Sequence, residues 1–569
     1  MTRIRQLKSR GRFALALTVL VTASLALVGG GHSQDAAASG VAQLSLASIE
    51  RYPRLPQPFY MRNWREVARK LDGFVFDYDA KGEFFPMIWR DTAQRNHPQD
   101  TWGIPSYLGD NRQRGESHES ITAIGAVLGS SLVGIRKDTG RYNHVRELLN
   151  YENLDNGMGV VLNLTRTTTG SNWYDLFPGM MFTAVSSLYP DDEALAAATR
   201  RTASRWREAV TALRAISDPP KFDFTYFDFT TMKPVLKQWV EPDASAGLAW
   251  LQFMQHARFG DAAALEAVDA CLRFLEALPE DRSPFYEVML PYGALVAARM
   301  NAEHGRNYNV RKYLHWIFEG YNYARPAWNV TGERWGNYDV HGLMSGVSDT
   351  VRYAFAFNTF NLAGALVPML RYDQRFARIF GRWMLNLANN SKAFYPYYLP
   401  ADNQGTPEYR ERYANVFAYE GLRAKWGLDE PFATADSRRF GWAKTDFGIY
   451  GSVYVGMLGA MVKPTNDPRI FGFDLNATDF NAPRAYPTTL YYNPYAQART
   501  VRLEVGAQPR SLYDTVEQRF VAENVTGSVA VTLEPDRSRI IVVTPASPLE
   551  RRDGRTLVDG VVVDYRSAR

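Results

Sequence analysis

The chain has 569 residues, 46% of them hydrophobic and 22% charged, a balance that excludes wholesale disorder and a length that suggests two or more domains. Its formal charge of +5 is set by Arg3, Arg5, Lys8, Arg10 and Arg12: without those five, Lys and Arg fall from 65 to 60 and match the 60 Asp and Glu. Nucleic acid, which asks for a clustered basic surface, is therefore not an expected partner. The single cysteine, Cys271, excludes an intrachain disulfide and a thiolate metal cage.

The basic start is followed by an apolar run from Phe13 to about Val28 and then Gly29-Gly30-Gly31, which is the pattern of a cleaved secretory signal over 1–34. The run is shorter than the ~20 residues of a spanning helix, so no membrane association is expected after cleavage, and the mature protein is expected to be secreted or periplasmic. An Ala/Ser-rich stretch over 35–55 reads as a mobile leader. A short helix is expected over 63–71. The aromatic segment 74–89 follows, where Asp77 and Asp79 lack the Gly and Glu that would complete a calcium loop.

Two loop-to-helix passages then repeat one design. In 111–135, Ser117 and Ser120 are candidates to cap a helix, and Glu116, His118 and Glu119 fall at its start, where the helix dipole favours carboxylates. In 163–190, Asn172, Trp173, Tyr174 and Asp175 fall at the corresponding place. Helical patterns continue over 191–215, 243–278, 285–303, 307–320, 349–371, 373–390, 408–426 and 446–461. Such succession without a strict repeat predicts a closed array of paired helices, an (α/α) toroid or barrel over 56–480. From about residue 484 apolar and polar residues alternate between Asn-Pro, Gly and Pro turns, predicting a small antiparallel β-sandwich over 484–569.

Between two helical regions lies AWNVTGERWGNYDVHGLMSGVSD (327–349), rich in rings, acids, a base and amides. Asp339 and His341, two apart, share a side of an extended chain. Either could be a general base with the other orienting it, or Asp339 a general acid; the bland alternative is a helix cap or a partner for Arg334. Asp339, His341, Tyr338, Glu333 and Glu119 are thus the candidate catalytic residues. Glu116, His118, Asn172, Trp173, Tyr174, Asp175, Trp328, Arg334, Trp335 and Asn337 are candidates for substrate binding. Glu420, in VFAYEGL, is a further acid that could pair across a glycosidic bond. The eight His are scattered, and no phosphate-binding loop, dinucleotide fingerprint or Gly-x-Ser-x-Gly is present, so no metal and no cofactor are expected.

A helical array ending in a β-sandwich resembles the secreted (α/α)-toroid carbohydrate-active enzymes, both six-hairpin glycosidases and polysaccharide lyases. LYYNPYAQARTVRLEVG (490–506) looks like the opening of the β-domains that close many secreted glycosidases. The resemblance implies a glycan-degrading enzyme, most simply a glycoside hydrolase using a carboxylate pair on a poly- or oligosaccharide. Asn172-Trp173-Tyr174 is similar to the Asn-Trp-Trp of chondroitin and hyaluronate lyases. That likeness implies instead β-elimination on a uronate-containing glycan, with Tyr338 and His341 carrying protons and Asn172 and Arg334 neutralising the carboxylate. A non-catalytic glycan-binding protein is the third expectation. In all three, residues 116–119, 172–175 and 334–341 are expected to line one cleft.

Overall fold

A computed structural model describes residues 40–112, 116–320, 322–323, 325, 328–348, 351–424 and 430–566. The expected signal segment, part of the leader, and Ala327 and Asp349 at the ends of the polar-aromatic stretch lie outside those residues.

The helices sort by burial. Helix α1 (Trp64–Val75) is followed by α2 (Ser120–Leu132), α3 (Asn172–Leu188), α4 (Glu193–Ile216), α5 (Ala244–Phe259), α6 (Ala262–Ala277), α7 (Met289–His304), α8 (Val310–Phe318), α9 (Ala356–Leu366) and α10 (Ala377–Asn390). A helical run over 449–461 ends as α11 (Gly456–Met461). In α2, every residue from Ser120 to Ser130 is buried, and α3, α5, α7, α9 and α11 are similarly enclosed. Helices apolar on all sides belong inside. By contrast α4 buries Leu195, Ala198, Thr199, Thr202 and Trp206 at helical spacing and shows solvent its charged face.

The inner helices pack in sequence, α2 on α3, α3 on α5, α5 on α7, α7 on α9 and α9 on α11, and α11 returns to α2. The ring is thereby closed, and the helical part of the chain is an (α/α) toroid with α1, α4, α6 and α8 packed outside it. The closing seam depends on Gly129 and Gly456, whose backbones touch: a Cβ on Gly129 would overlap the Val453 carbonyl oxygen. Gly129→Ala is therefore expected to cost about 1–3 kcal/mol, the usual effect of overpacking a tight core. An unchanged denaturation midpoint would show that the seam can widen freely.

The aromatic excess is first of all core. Trp64, Trp102, Trp206, Trp250, Trp316, Trp335 and Trp383 are wholly buried, so most of this surplus fills the spaces between helices.

A five-stranded antiparallel sheet lies in the α8–α11 stretch: β1 (Asn329–Val330), β2 (Met344–Ser348), β3 (Val351–Phe355), β4 (Gly421–Ala424) and β5 (Pro431–Thr434), in the order β5-β4-β3-β2-β1. Two helical expectations fail here. Residues 351–355 are a strand leading into α9, and 408–426 contains a turn of 3-10 helix (Pro407–Tyr409) and β4 instead of a helix. Pairing with strands on both sides, through Leu422↔Ala354 and Leu422↔Ala433, overrides the local helical pattern. The expected cap of α2 also differs. Neither Ser117 nor Ser120 caps it; Asn163 does so from another segment, accepting from the Ile121 N–H at 3.1 Å, so the Glu119 side chain is not used as the cap.

After α11 the chain turns to strands at Val462, earlier than expected. A six-stranded antiparallel sheet (462–464, 471–474, 488–492, 538–545, 499–514, 519–533, in spatial order) and a three-stranded one (550–564) form the C-terminal β-sandwich. It sits against α10, where Arg382 holds Asp536 with both its oxygens at 2.7 Å. Residues 40–55 are not a loose leader: Leu46, Ile49 and Tyr52 are buried, and Val41 and Leu44 donate to the Val516 and Arg375 carbonyls at 2.7 Å.

Candidate active site

The N-terminal ends of the inner helices carry an unusual set of side chains. Glu119 precedes α2, Trp173 and Tyr174 lie in the first turn of α3, Asp243 precedes α5, Glu287 stands just before α7, Phe355 precedes α9, and Tyr450 opens the run into α11. Helix N-termini bear partial positive charge, so they suit carboxylates gathered around them.

Glu420, on the turn into β4, is the best-held acid. Tyr107 and Tyr450 donate to its Oε1, each at 2.7 Å, and Tyr353 at 2.9 Å and the Asp436 N–H at 2.7 Å donate to its Oε2. Burial, and then the charge of Glu420, push the hydroxyls of Tyr107, Tyr353 and Tyr450 well above the ordinary phenol value, so they remain donors. Beside Glu420 opens a cavity of about 180 Å³ whose wall includes Glu119, Trp173, Tyr174, Trp442, Asp436 and Arg112. The Glu119 carboxylate accepts from Ser106 and from Asn163 Nδ2 at 3.3 Å and keeps partial exposure to the cavity. Asp436 is paired with Arg423, and Arg112 with Asp110.

Glu287 is the third acid. It is partly exposed yet hemmed in on all sides, and burial pushes its pKa up to about 7, against the opposing pull of Asn358, which donates to Oε2 at 2.8 Å, and of Arg325. Its backbone φ of +57° is a conformation that side-chain-bearing residues adopt at a cost and that clusters at functional sites. The Tyr174 hydroxyl, raised by burial, feels the charges of Glu119, Glu287 and Glu420 together. The three carboxylates thus lie within electrostatic reach of one tyrosine. Below it, Glu241 accepts from Ser171 at 2.6 Å, the Trp173 N–H at 2.9 Å and Trp239 Nε1 at 3.0 Å, and burial drives Asp243 strongly toward its protonated form.

Of the residues expected to share this cleft, Glu119, Trp173 and Tyr174 line it. His118 lies beside them, its Nδ1 3.2 Å from Ser106, with its pKa lowered by burial. Glu116 instead faces outward, clamped by Arg95 at 2.9 Å and Arg166 at 2.6 Å. Asn172 is buried with its side-chain amide unpartnered among the described residues. Asp175 is a structural acid: it accepts from the Thr169 N–H and hydroxyl and from Gly170, and burial raises it to about 7.

The polar-aromatic stretch divides. Trp328 is buried, stacks on Phe355 with centroids 5.4 Å apart and meets edge-on Tyr286, the residue before Glu287. Trp335 is wholly buried, Glu333 pairs with Arg352, exposed Arg334 donates to the carbonyl of exposed Asn337 at 2.6 Å, and Tyr338 packs on Tyr398. Asp339 and His341 are hydrogen-bonded, Nδ1 to Oδ1 at 2.6 Å, and the same oxygen accepts from the His341 N–H and from Asn390 at 3.0 Å. Tyr52 covers His341. Among the described residues this pair shares no hydrogen-bond partner with Glu119, Glu287 or Glu420; its bond to Asn390 ties the stretch to α10. Asp339→Asn is accordingly expected to cost about 1–3 kcal/mol of stability. A well-folded variant whose turnover fell about a hundredfold would instead give the pair a chemical role.

Glu287, Tyr107, Tyr353, Tyr450 and Asp436 had no sequence signal of their own. Tyr-Glu precedes both α7 (286–287) and β4 (419–420), but it also occurs at 151–152, where Glu152 is held by Arg201, so the dipeptide does not single out the site. Among the described residues no group of His, Cys, Asp and Glu is arranged to hold a metal, and no helix is long and apolar enough to cross a membrane.

No protein-family model matches the chain, and no curated protein matches it. Solved structures share its architecture at low similarity. A D-mannose isomerase is 8% identical with a TM-score of 0.42, over 70% of this chain and 96% of that one. An unsaturated glucuronyl hydrolase mutant from Streptococcus agalactiae is 12% identical with a TM-score of 0.36, over 74% and 96%. A family 76 glycoside hydrolase from a bovine Bacteroides thetaiotaomicron strain is 9% identical with a TM-score of 0.30, over 59% and 57%. At these values no residue or role carries over.

Proposed function

We propose that the chain is a glycan-degrading enzyme, a glycoside hydrolase acting on a poly- or oligosaccharide in the cleft at the N-terminal ends of the inner helices. The observation that carries this reading is the cavity walled by Glu119, Glu420, Trp173, Tyr174 and Trp442, with Glu287 within electrostatic reach of the same Tyr174. Glycoside hydrolysis needs one carboxyl that still holds its proton near neutral pH and a second group that is a carboxylate. Glu287, raised to about 7, is the general acid. Glu119, open to the cavity and steadied by Ser106 and Asn163, is the partner that activates water or attacks the sugar, and Glu420 anchors the tyrosines that shape the pocket.

Elimination is the second reading, favoured by the tyrosine cluster. A lyase tyrosine must give up its proton, whereas burial and Glu420 hold these hydroxyls protonated, which supports hydrolysis over elimination. The deciding experiment incubates the protein with neutral and uronate-containing polysaccharides and reads product ends. New reducing ends without near-ultraviolet absorbance are expected. An unsaturated, absorbing product would establish the lyase, and binding without any product would leave a glycan-binding protein. The same proposal includes export, with 1–34 removed.

A further inference from the structure

Beside Glu287 stands a cation that the hydrolytic chemistry leaves unused. The Arg325 guanidinium lies over three aromatic rings, 4.4 Å from the centre of Tyr286, 4.6 Å from Trp239 and 5.9 Å from Trp328. Its backbone N–H goes to Asn322 Oδ1 at 2.8 Å. Among the described residues its side chain donates no hydrogen bond and makes no ion pair, although a guanidinium carries five N–H donors. Among the described residues, Arg112 on the cavity wall is engaged by Asp110, and Arg423 nearby by Asp436.

The rings take the flat side of the guanidinium and shield it from water, leaving the N–H edge for something planar and negative. Among the described residues, Glu241 and Glu287 act on this half-buried cation through space but leave its N–H donors without acceptors, and an oxyanion offering two oxygens is the partner that guanidinium geometry fits best. The acids within its field do not take that place. Glu241 has its oxygens occupied by Ser171, Trp173 and Trp239, and Glu287 accepts from Asn358.

We propose that Arg325 binds an anionic group, a carboxylate or a sulfate ester, on the sugar seated beside Glu287, so that the substrate is an acidic glycan. This rests on the cleft being a glycan site and is independent of which carboxylates act in catalysis. Glu287 keeps its proton up to about neutral pH, which lessens its repulsion of such a sugar.

Trp239 and Trp328 make occupancy visible in intrinsic fluorescence. The wild-type protein is titrated at about pH 6 and constant ionic strength with sodium glucuronate, glucose 6-sulfate and glucose. At least one anionic sugar is expected to give a saturable change at about tenfold or more lower concentration than glucose. Arg325→Gln should weaken that sugar about tenfold or more and leave glucose unchanged, with Arg325→Lys between the two. Response to glucuronate alone or to the sulfate alone identifies the group that is read. Equal affinity for glucose and the anionic sugars, no saturable response to either anionic sugar, or Arg325→Gln and Arg325→Lys both binding as wild type overturns the proposal. The titrations require no turnover, so their failure leaves the test of Glu287 standing, and failure of that test leaves them standing.

Discussion

Glu287→Gln is expected to lower turnover by about 10²–10⁴-fold while the protein stays folded. The substitution is nearly isosteric and keeps an oxygen for Asn358, so it removes the transferable proton and little else. The wild-type rate should fall as pH rises through about 7, where Glu287 loses its proton, and this limb should vanish in the variant. Stability carries the same signature. Because the folded-state pKa lies above the usual value of 4.5, the folded protein binds this proton more tightly than the unfolded chain. Its stabilising contribution is complete below about 4.5 and is lost as pH rises through about 7. Melting temperatures at about pH 5 and pH 8 should therefore differ more in the wild type than in the variant. A loss of less than about tenfold in turnover would remove Glu287 from the chemical step.

The largest stability effect is expected far from the cleft. Asp479, in the connection between strands 471–474 and 488–492 of the six-stranded sheet, is buried between Arg371, with which it is paired, and Arg299 at 3.6 Å, and accepts from Tyr372 at 2.8 Å. Arg299 is wholly enclosed, and against burial, which lowers them, Tyr372 and the neighbouring acids hold both guanidiniums above their ordinary pKa. Asp479→Ala strands Arg371 and deprives Arg299 of one of its two acids, Glu303 remaining at 2.8 Å. Breaking a buried pair in this way costs about 3–5 kcal/mol. Chemical denaturation followed by tryptophan fluorescence measures it. A change below about 1 kcal/mol would mean that water reaches the arginines.

The sequence conveyed the architecture better than the chemistry. Inner helices declare themselves by unbroken apolarity, as in SITAIGAVLGSSL, and the last strands by alternation, because both patterns are local. The site is not local. Glu119, Trp173 and Tyr174 were visible because polar and aromatic residues at a helix start stand out, whereas the Glu420 socket draws on residues 107, 353, 436 and 450, none unusual where it stands. The segment around Glu420 reads as helix, and sheet pairing across more than sixty residues makes it a strand. In the stretch 328–348 many of the functional groups that stand out in the sequence also anchor it, with Trp335 in the core and Asp339 tied to Asn390.

The closing seam has a consequence for how the molecule comes into being. Gly129 and Gly456 meet across some three hundred residues of intervening chain, so during synthesis α2 must wait, apolar on every side, until nearly the whole toroid has emerged. Contacts so distant in sequence form slowly and leave sticky surfaces open meanwhile. Tyr450, a donor to Glu420, arrives on the same helical run that closes the ring. A chain interrupted before it has neither a sealed interior nor a finished pocket, and catalytic competence becomes a gauge of whether that final joint has shut.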